Sequence, residues 1–190
     1  MAQLILEPTP TAQWQRLVQE ASTNASRTLD EQLESYLVFL LVRCCAQTDI
    51  LQRIMAVEYL HSLATQGRMR NERLRDVGDH CLLFAGLFPH IARRRLIHIS
   101  YFVRLGRSAY QQLSGALNQS AARLYSDFSC AFVVLMDVLH SIRELQGASC
   151  LSPIEAIDLL KDTGSERAAK ALRRHTGAQP VLIATPIRRQ

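Results

Sequence analysis

The chain has 190 residues and a mass of 21.4 kDa, enough for one compact domain and a small appendage. Apolar residues make up 48% of the sequence and charged residues 21%, with only 8 Gly and 6 Pro, which excludes disordered and fibrous proteins. The net charge is +5, and all basic residues except Lys161 and Lys170 are arginines.

The sequence predicts neither a signal peptide nor a membrane span. Glu7 directly follows the short apolar run Leu4–Leu6, and no basic residue precedes it. The longest uncharged apolar run, between Asp127 and Asp137, has nine residues, whereas a bilayer requires roughly 20. The five cysteines show neither CxxC nor Cys/His ligand spacing, which favours reduced thiols and a cytoplasmic protein without membrane insertion.

Helical periodicity dominates the chain, so we expect an all-α fold. The predicted organisation is a bundle of five to six helices within residues 1–147, followed by a helical hairpin and an extended tail within 148–190. The predicted bundle helices run from Pro10 to Ala21, from Thr28 to Cys45, from Thr48 or Asp49 to Gly67, from Glu72 to Gly86, from Ile97 to Leu117 and from Ser120 to Gln146.

The C-terminal hairpin is predicted from local signals. A capping box, Ser152–Glu155, with Pro153 at the first helical position starts its first helix, which ends near Gly164. The second helix follows from Ser165 to about His175. An acidic stripe and a basic stripe on these helices are predicted to face each other: Glu155, Asp158 and Asp162 on the first, and Arg167, Lys170 and Arg174 on the second.

Two further features concern packing. Glycine inside a helix is unfavourable by about 0.5–1 kcal/mol relative to alanine, so Gly78, Gly106 and Gly115 predict close helix–helix contacts. The short apolar runs Leu4–Leu6 and Val181–Ile183, near the two ends, are expected either to pair as a small ribbon or to dock as arms.

The positive charge is concentrated in residues 68–107, where nine arginines stand against only three acidic residues. This segment predicts an Arg-rich surface that binds a protein or an anionic partner, with anion, nucleotide or RNA binding and a simple solvated connector as alternatives. The nine arginines are Arg68, Arg70, Arg73, Arg75, Arg93, Arg94, Arg95, Arg104 and Arg107. The leading functional prediction is a non-enzymatic, cofactor-free interaction or regulatory module that binds another protein or itself as a homodimer.

No known catalytic template occurs in the sequence, which has no P-loop, Gly-x-Gly-x-x-Gly, His-Glu-x-x-His or Gly-x-Ser-x-Gly motif. A pattern of acidic residues and histidines is nevertheless similar to that of the ferritin-like di-iron carboxylate bundles. Its members are Glu34, Glu58, His61, Asp79, Asp137 and His140. The alternative prediction is therefore a metal-dependent helical oxidase that holds iron or manganese.

Helical-wheel positions qualify this resemblance. Glu58 and His61 are predicted to point into the apolar face of their helix, which supports a site. Asp137 and His140 are predicted to lean away from the core.

Overall fold

The computed structural model describes residues 9–46, 53–147 and 151–176, which form nine helices and no strand. The helices are α1 (Pro10–Asn24), α2 (Glu31–Ala46), α3 (Met55–Leu63), α4 (Gly67–Gly86), α5 (Pro89–Arg94), α6 (Ile99–Ala116), α7 (Gln119–Leu145), α8 (Pro153–Thr163) and α9 (Glu166–Thr176). The predicted all-α bundle is confirmed. None of the described helices combines the length and the apolar composition needed to cross a bilayer.

Helices α4, α6 and α7 form the centre of the bundle. Every residue from Val77 to Gly86 in α4 is buried, as is every residue from Leu135 to Ile142 in α7. These long buried runs allow each helix to contact neighbours on several sides, as expected for the middle of a bundle.

Glycines permit close approach at this centre. A Cβ atom on Gly78 would lie 2.4 Å from Cε1 of Tyr110, and one on Gly106 would lie 2.5 Å from Cε2 of Phe132. The predicted close packing is confirmed at both positions. At Gly115 the prediction is wrong, because no described atom lies within 4 Å of the corresponding position.

Some helix starts follow their local signals and others do not. The capping box of α8 is formed: Ser152 Oγ accepts from the Glu155 backbone at 3.4 Å, and Glu155 Oε2 accepts from the Ser152 backbone at 2.9 Å. The predicted cap of α2 at Thr28 is wrong, because Asp30 Oδ1 accepts from the backbone N–H groups of Gln32 and Leu33 instead. Helix α4 starts at Gly67 rather than residue 72, and the short helix α5 was not predicted.

The charged stripes of the C-terminal hairpin pair with side chains of the bundle rather than with each other. Both Arg167 and Arg174 of α9 form ion pairs with Glu144 of α7. The acidic stripe of α8 turns towards α5 and α6, in the pairs Glu155–Arg93, Asp158–His98 and Asp162–Ser100. The prediction that the two stripes face each other is therefore wrong.

Several predictions fall outside the described residues. These are the apolar runs Leu4–Leu6 and Val181–Ile183 and the predicted helix cap at Thr48 or Asp49. The four described cysteines, Cys44, Cys45, Cys81 and Cys130, are free thiols.

Candidate interaction surface

The arginines of α4 are largely engaged by neighbouring residues. Arg70 Nη2 donates to Gln112 Oε1 of α6 at 2.8 Å, and Arg68 pairs with Glu72 one helical turn further on, also at 2.8 Å. Further contacts are Arg75 with Asp76 at 3.2 Å, and Arg107 with the Ser129 carbonyl at 3.0 Å. Among the described residues, no side-chain hydrogen bond or ion pair involves the half-buried Arg73 or the exposed Arg104.

The three consecutive arginines around the end of α5 have different neighbours. Arg93 donates from Nε and Nη2 to the two carboxylate oxygens of Glu155, each at 3.0 Å. Arg95 Nη1 donates to the carbonyl of Arg53 at 2.8 Å, and Arg94 is exposed. Four of the nine arginines thus contact other parts of the fold: Arg70 contacts α6, Arg93 contacts α8, Arg95 contacts Arg53 ahead of α3, and Arg107 contacts α7. That the nine arginines bind a partner as one surface stays a prediction.

The turn after α5 holds Leu96 in an uncommon conformation. Its φ of 55° lies in the left-handed region, which glycine normally occupies after a helix. Leu96 N donates to Arg93 O and Ile97 N donates to Ala92 O, the hydrogen bonds of a Schellman motif. The left-handed conformation costs about 1–2 kcal/mol for a residue with a Cβ. The Leu96 side chain is 94% exposed, so no burial within the described structure offsets this cost.

Leu96 borders a groove between the α5–α6 turn and the first turns of α8. The groove has a volume of about 360 Å³. Ile154, which follows the first residue of α8, also borders it and is 73% exposed. The other lining residues are Ala92, Arg93, Ile97, His98, Ile99, Glu155, Asp158 and Leu159. Two exposed aliphatic side chains therefore stand beside a concave surface, an arrangement typical of protein-binding sites.

Charge pairs fix the walls of this groove. Burial raises the pKa of Glu155, but hydrogen bonds from the backbone and hydroxyl of Ser152 and from Arg93 outweigh it and hold the pKa below its ordinary value. His98 Nδ1 lies 3.1 Å from Asp158 Oδ2. Although Arg93 is paired, its side chain is 66% exposed, so its guanidinium remains within reach of a second carboxylate.

Asp79, one of the predicted metal ligands, is the centre of a buried hydrogen-bond cluster. Its Oδ1 accepts from the hydroxyls of Tyr36 and Tyr110, each at 2.8 Å, and its Oδ2 accepts from Arg43 at 2.5 Å. Burial raises the pKa of Asp79, and these three partners oppose that rise. The adjoining cavity, about 20 Å³, has room for a single water molecule. Asp79 therefore ties α2, α4 and α6 together.

Asp137 and His140 are buried, contrary to the prediction that they lean away from the core. Asp137 accepts from the Ser165 hydroxyl at 2.5 Å and from the backbone of Arg167, at the start of α9. His140 Nε2 lies 2.8 Å from the carbonyl of Ala85 in α4. The helical-wheel prediction is wrong because α9 and α4 cover the side of α7 that it placed away from the core.

The remaining predicted ligands lie elsewhere. Glu34 accepts from Gln19 at 2.8 Å, Glu58 is half-buried, and His61 is exposed rather than directed into the apolar face. No group of three or more His, Cys, Asp or Glu residues in the described part of the chain could hold a metal ion. The six residues therefore do not form the predicted di-metal centre there.

Comparison of the chain with protein families, with curated proteins and with solved structures finds no match. Functional interpretation therefore depends on the geometry of the molecule itself. Sequence reasoning missed Leu96 and Ile154, since neither belongs to a motif and an exposed aliphatic residue has no signature in a single sequence.

Proposed function

We propose that this protein is a helical interaction module that binds a segment of a partner protein in the groove between the α5–α6 turn and α8. The observation that carries the proposal is Leu96, an aliphatic residue that is 94% exposed in a left-handed backbone conformation. Backbone strain of this kind persists where a site requires it, and exposed apolar side chains beside a concavity mark binding surfaces.

The composition of the groove supports a protein partner with mixed apolar and acidic character. Leu96 and Ile154 offer two aliphatic contacts, and Arg93, whose Nε and Nη2 donate to Glu155, offers the Nη1 side of its exposed guanidinium to a second carboxylate. A matching segment presents one or two aliphatic side chains and a nearby carboxylate. The Arg-rich region of the sequence thus contributes to binding through Arg93 rather than through all nine arginines.

The proposal is tested by comparing proteins captured from cell lysate by four purified, immobilised chains. The variants Leu96→Asp and Ile154→Asp place a carboxylate in the groove, and Asp tolerates the left-handed region at position 96. Phe39→Asp is the matched control, because Phe39 is 60% exposed but belongs to α2 and does not line the groove.

We expect a partner that the unmodified chain and Phe39→Asp capture and that both groove variants lose. Light scattering of the purified chain, with and without Leu96→Asp, shows whether that partner is a second copy. Capture of the same proteins by all four chains, with no variant-dependent self-association, would refute the proposal.

A further inference from the structure

A second apolar surface lies on the outer face of α3, apart from the groove. Ile54, Val57, Leu60 and Leu63 follow one another at intervals of three residues and are 42–62% exposed. Met69, near the start of α4, adds a side chain that is 53% exposed. Half of the exposed large apolar residues among those described are therefore concentrated on these two neighbouring helices.

The inner face of α3 is firmly attached, so the helix cannot rotate to bury this outer face. Met55 and Ser62 are buried against the bundle. The hydroxyl of Tyr59 accepts from Gln112 Nε2 at 2.7 Å, and Gln112 in turn accepts from Arg70. This chain of hydrogen bonds connects α3 with α6 and α4 and leaves the opposite side of α3 to solvent.

Guanidinium groups lie at the start of this outer face. Arg53 directly precedes Ile54 and is exposed, and the one carboxylate of α3, Glu58, is half-buried rather than on the exposed outer face. The hydrogen bond from Arg95 to the carbonyl of Arg53 adds a second guanidinium at the start of the helix. A partner that complements this surface carries acidic residues beside its own apolar residues.

The size of the surface limits what it binds. The helix has nine residues and a length of about 14 Å, so one face of it is much smaller than the roughly 800 Å² per partner of a stable dimer. Two or three turns of another helix match it in length, and an apolar helical face packing on an apolar surface is a common recognition mode.

We infer that the outer face of α3 binds a short amphipathic helix of a partner protein, with an apolar stripe flanked by carboxylates. This inference does not depend on the groove, because it uses different residues and a different ligand. Leu60→Asp leaves Leu96 and Ile154 unchanged, so the two surfaces can fail independently.

The test measures binding of two capped peptides of about 18 residues, with leucines at helical spacing and either glutamates or lysines at the flanking positions. The proteins are the full chain, Leu60→Asp, Arg53→Glu and the control Phe39→Asp, each checked for unchanged helix content by circular dichroism. Phe39 is a close match for Leu60, because their exposures are 60% and 62%.

We expect saturable binding of the glutamate peptide to the full chain and to Phe39→Asp, and binding weaker by about tenfold or more for the lysine peptide and for Leu60→Asp. Arg53→Glu should shift preference towards the lysine peptide. Raising the salt concentration from about 50 to about 500 mM should weaken binding of the glutamate peptide.

Four results would overturn the inference. They are absence of saturable binding at about 1 mM glutamate peptide, equal affinity for both peptides, equal loss of binding in Phe39→Asp and Leu60→Asp, and a dimer that Leu60→Asp dissociates.

Vesicles of phosphatidylcholine and phosphatidylserine provide a separate arm. Vesicle binding that Leu60→Asp abolishes, without peptide binding, would assign the face to a membrane surface and refute the protein partner.

Discussion

Replacing Leu96 with glycine should stabilise the protein while weakening partner binding. Glycine removes the cost of about 1–2 kcal/mol that a Cβ imposes in the left-handed region. The leucine side chain is 94% exposed, so its loss removes almost no buried contact. The greater freedom of glycine in the unfolded chain offsets about 0.4–1 kcal/mol of this gain, which leaves a net increase of about 0–1.6 kcal/mol, centred near 0.8, in the free energy of unfolding.

Urea unfolding, followed by circular dichroism, measures this change, and Leu96→Ala is the matched control. Alanine also removes the exposed side chain but keeps the Cβ, so its free energy of unfolding should stay within about 0.5 kcal/mol of the unmodified chain. Thermal unfolding provides a second measure, because 1 kcal/mol corresponds to about 2–4 °C in Tm for a chain of this size.

The comparison separates backbone strain from side-chain effects. If Leu96→Gly and Leu96→Ala have the same stability, or if Leu96→Gly loses more than about 1 kcal/mol, the left-handed backbone at position 96 is not strained. If both variants lose the partner while only the glycine variant gains stability, then the side chain serves binding and the conformation serves to display it.

Two further predictions concern the core. Gly78→Ala should lower the free energy of unfolding by about 1–3 kcal/mol, because its Cβ would lie 2.4 Å from the Tyr110 ring. The control Gly115→Ala should be neutral or stabilising by up to about 1 kcal/mol. Equal effects of the two substitutions in urea unfolding would contradict the close packing at Gly78. Burial lowers the pKa of His140 to about 4. Between pH 6.5 and 4 only the unfolded state therefore binds this proton, so the free energy of unfolding decreases by up to about 3 kcal/mol as the pH is lowered. His140→Gln keeps a donor for the Ala85 carbonyl but does not titrate. This variant should therefore lack the acid-induced decrease in stability that the unmodified chain shows. If both proteins have the same pH profile, His140 is not the cause of that decrease.

Local signals predicted the start of α8 and the burial of α7 correctly, although the similar signal at Thr28 did not mark the start of α2. The capping box at Ser152 and Glu155 defines the start of α8, because both of its hydrogen bonds form within one helical turn. The long apolar run of α7 predicted a central helix for a similar reason, since a helix that is apolar on nearly every side must be buried. Neither inference required knowledge of a distant residue.

Side-chain partners were not predictable in the same way. Arg93 and Glu155 are 62 residues apart in sequence, and nothing near either residue indicates that they pair. The pattern of metal ligands failed for the same reason: its spacing fixes positions within each helix but not the rotation of one helix relative to another. In the structure α3 turns His61 to solvent, while α7 turns Asp137 towards α9.

The pairing of arginines with distant carboxylates also bears on the proposed binding at the groove. An exposed ion pair contributes little stability, with a typical value of about 0–1 kcal/mol. The bidentate contact between Arg93 and Glu155 instead orients α8 relative to α5. Because this orientation is set before a partner arrives, Leu96 and Ile154 already border one groove, and less ordering free energy opposes binding. Arg93→Ala should therefore weaken partner capture while changing the free energy of unfolding by less than about 1 kcal/mol.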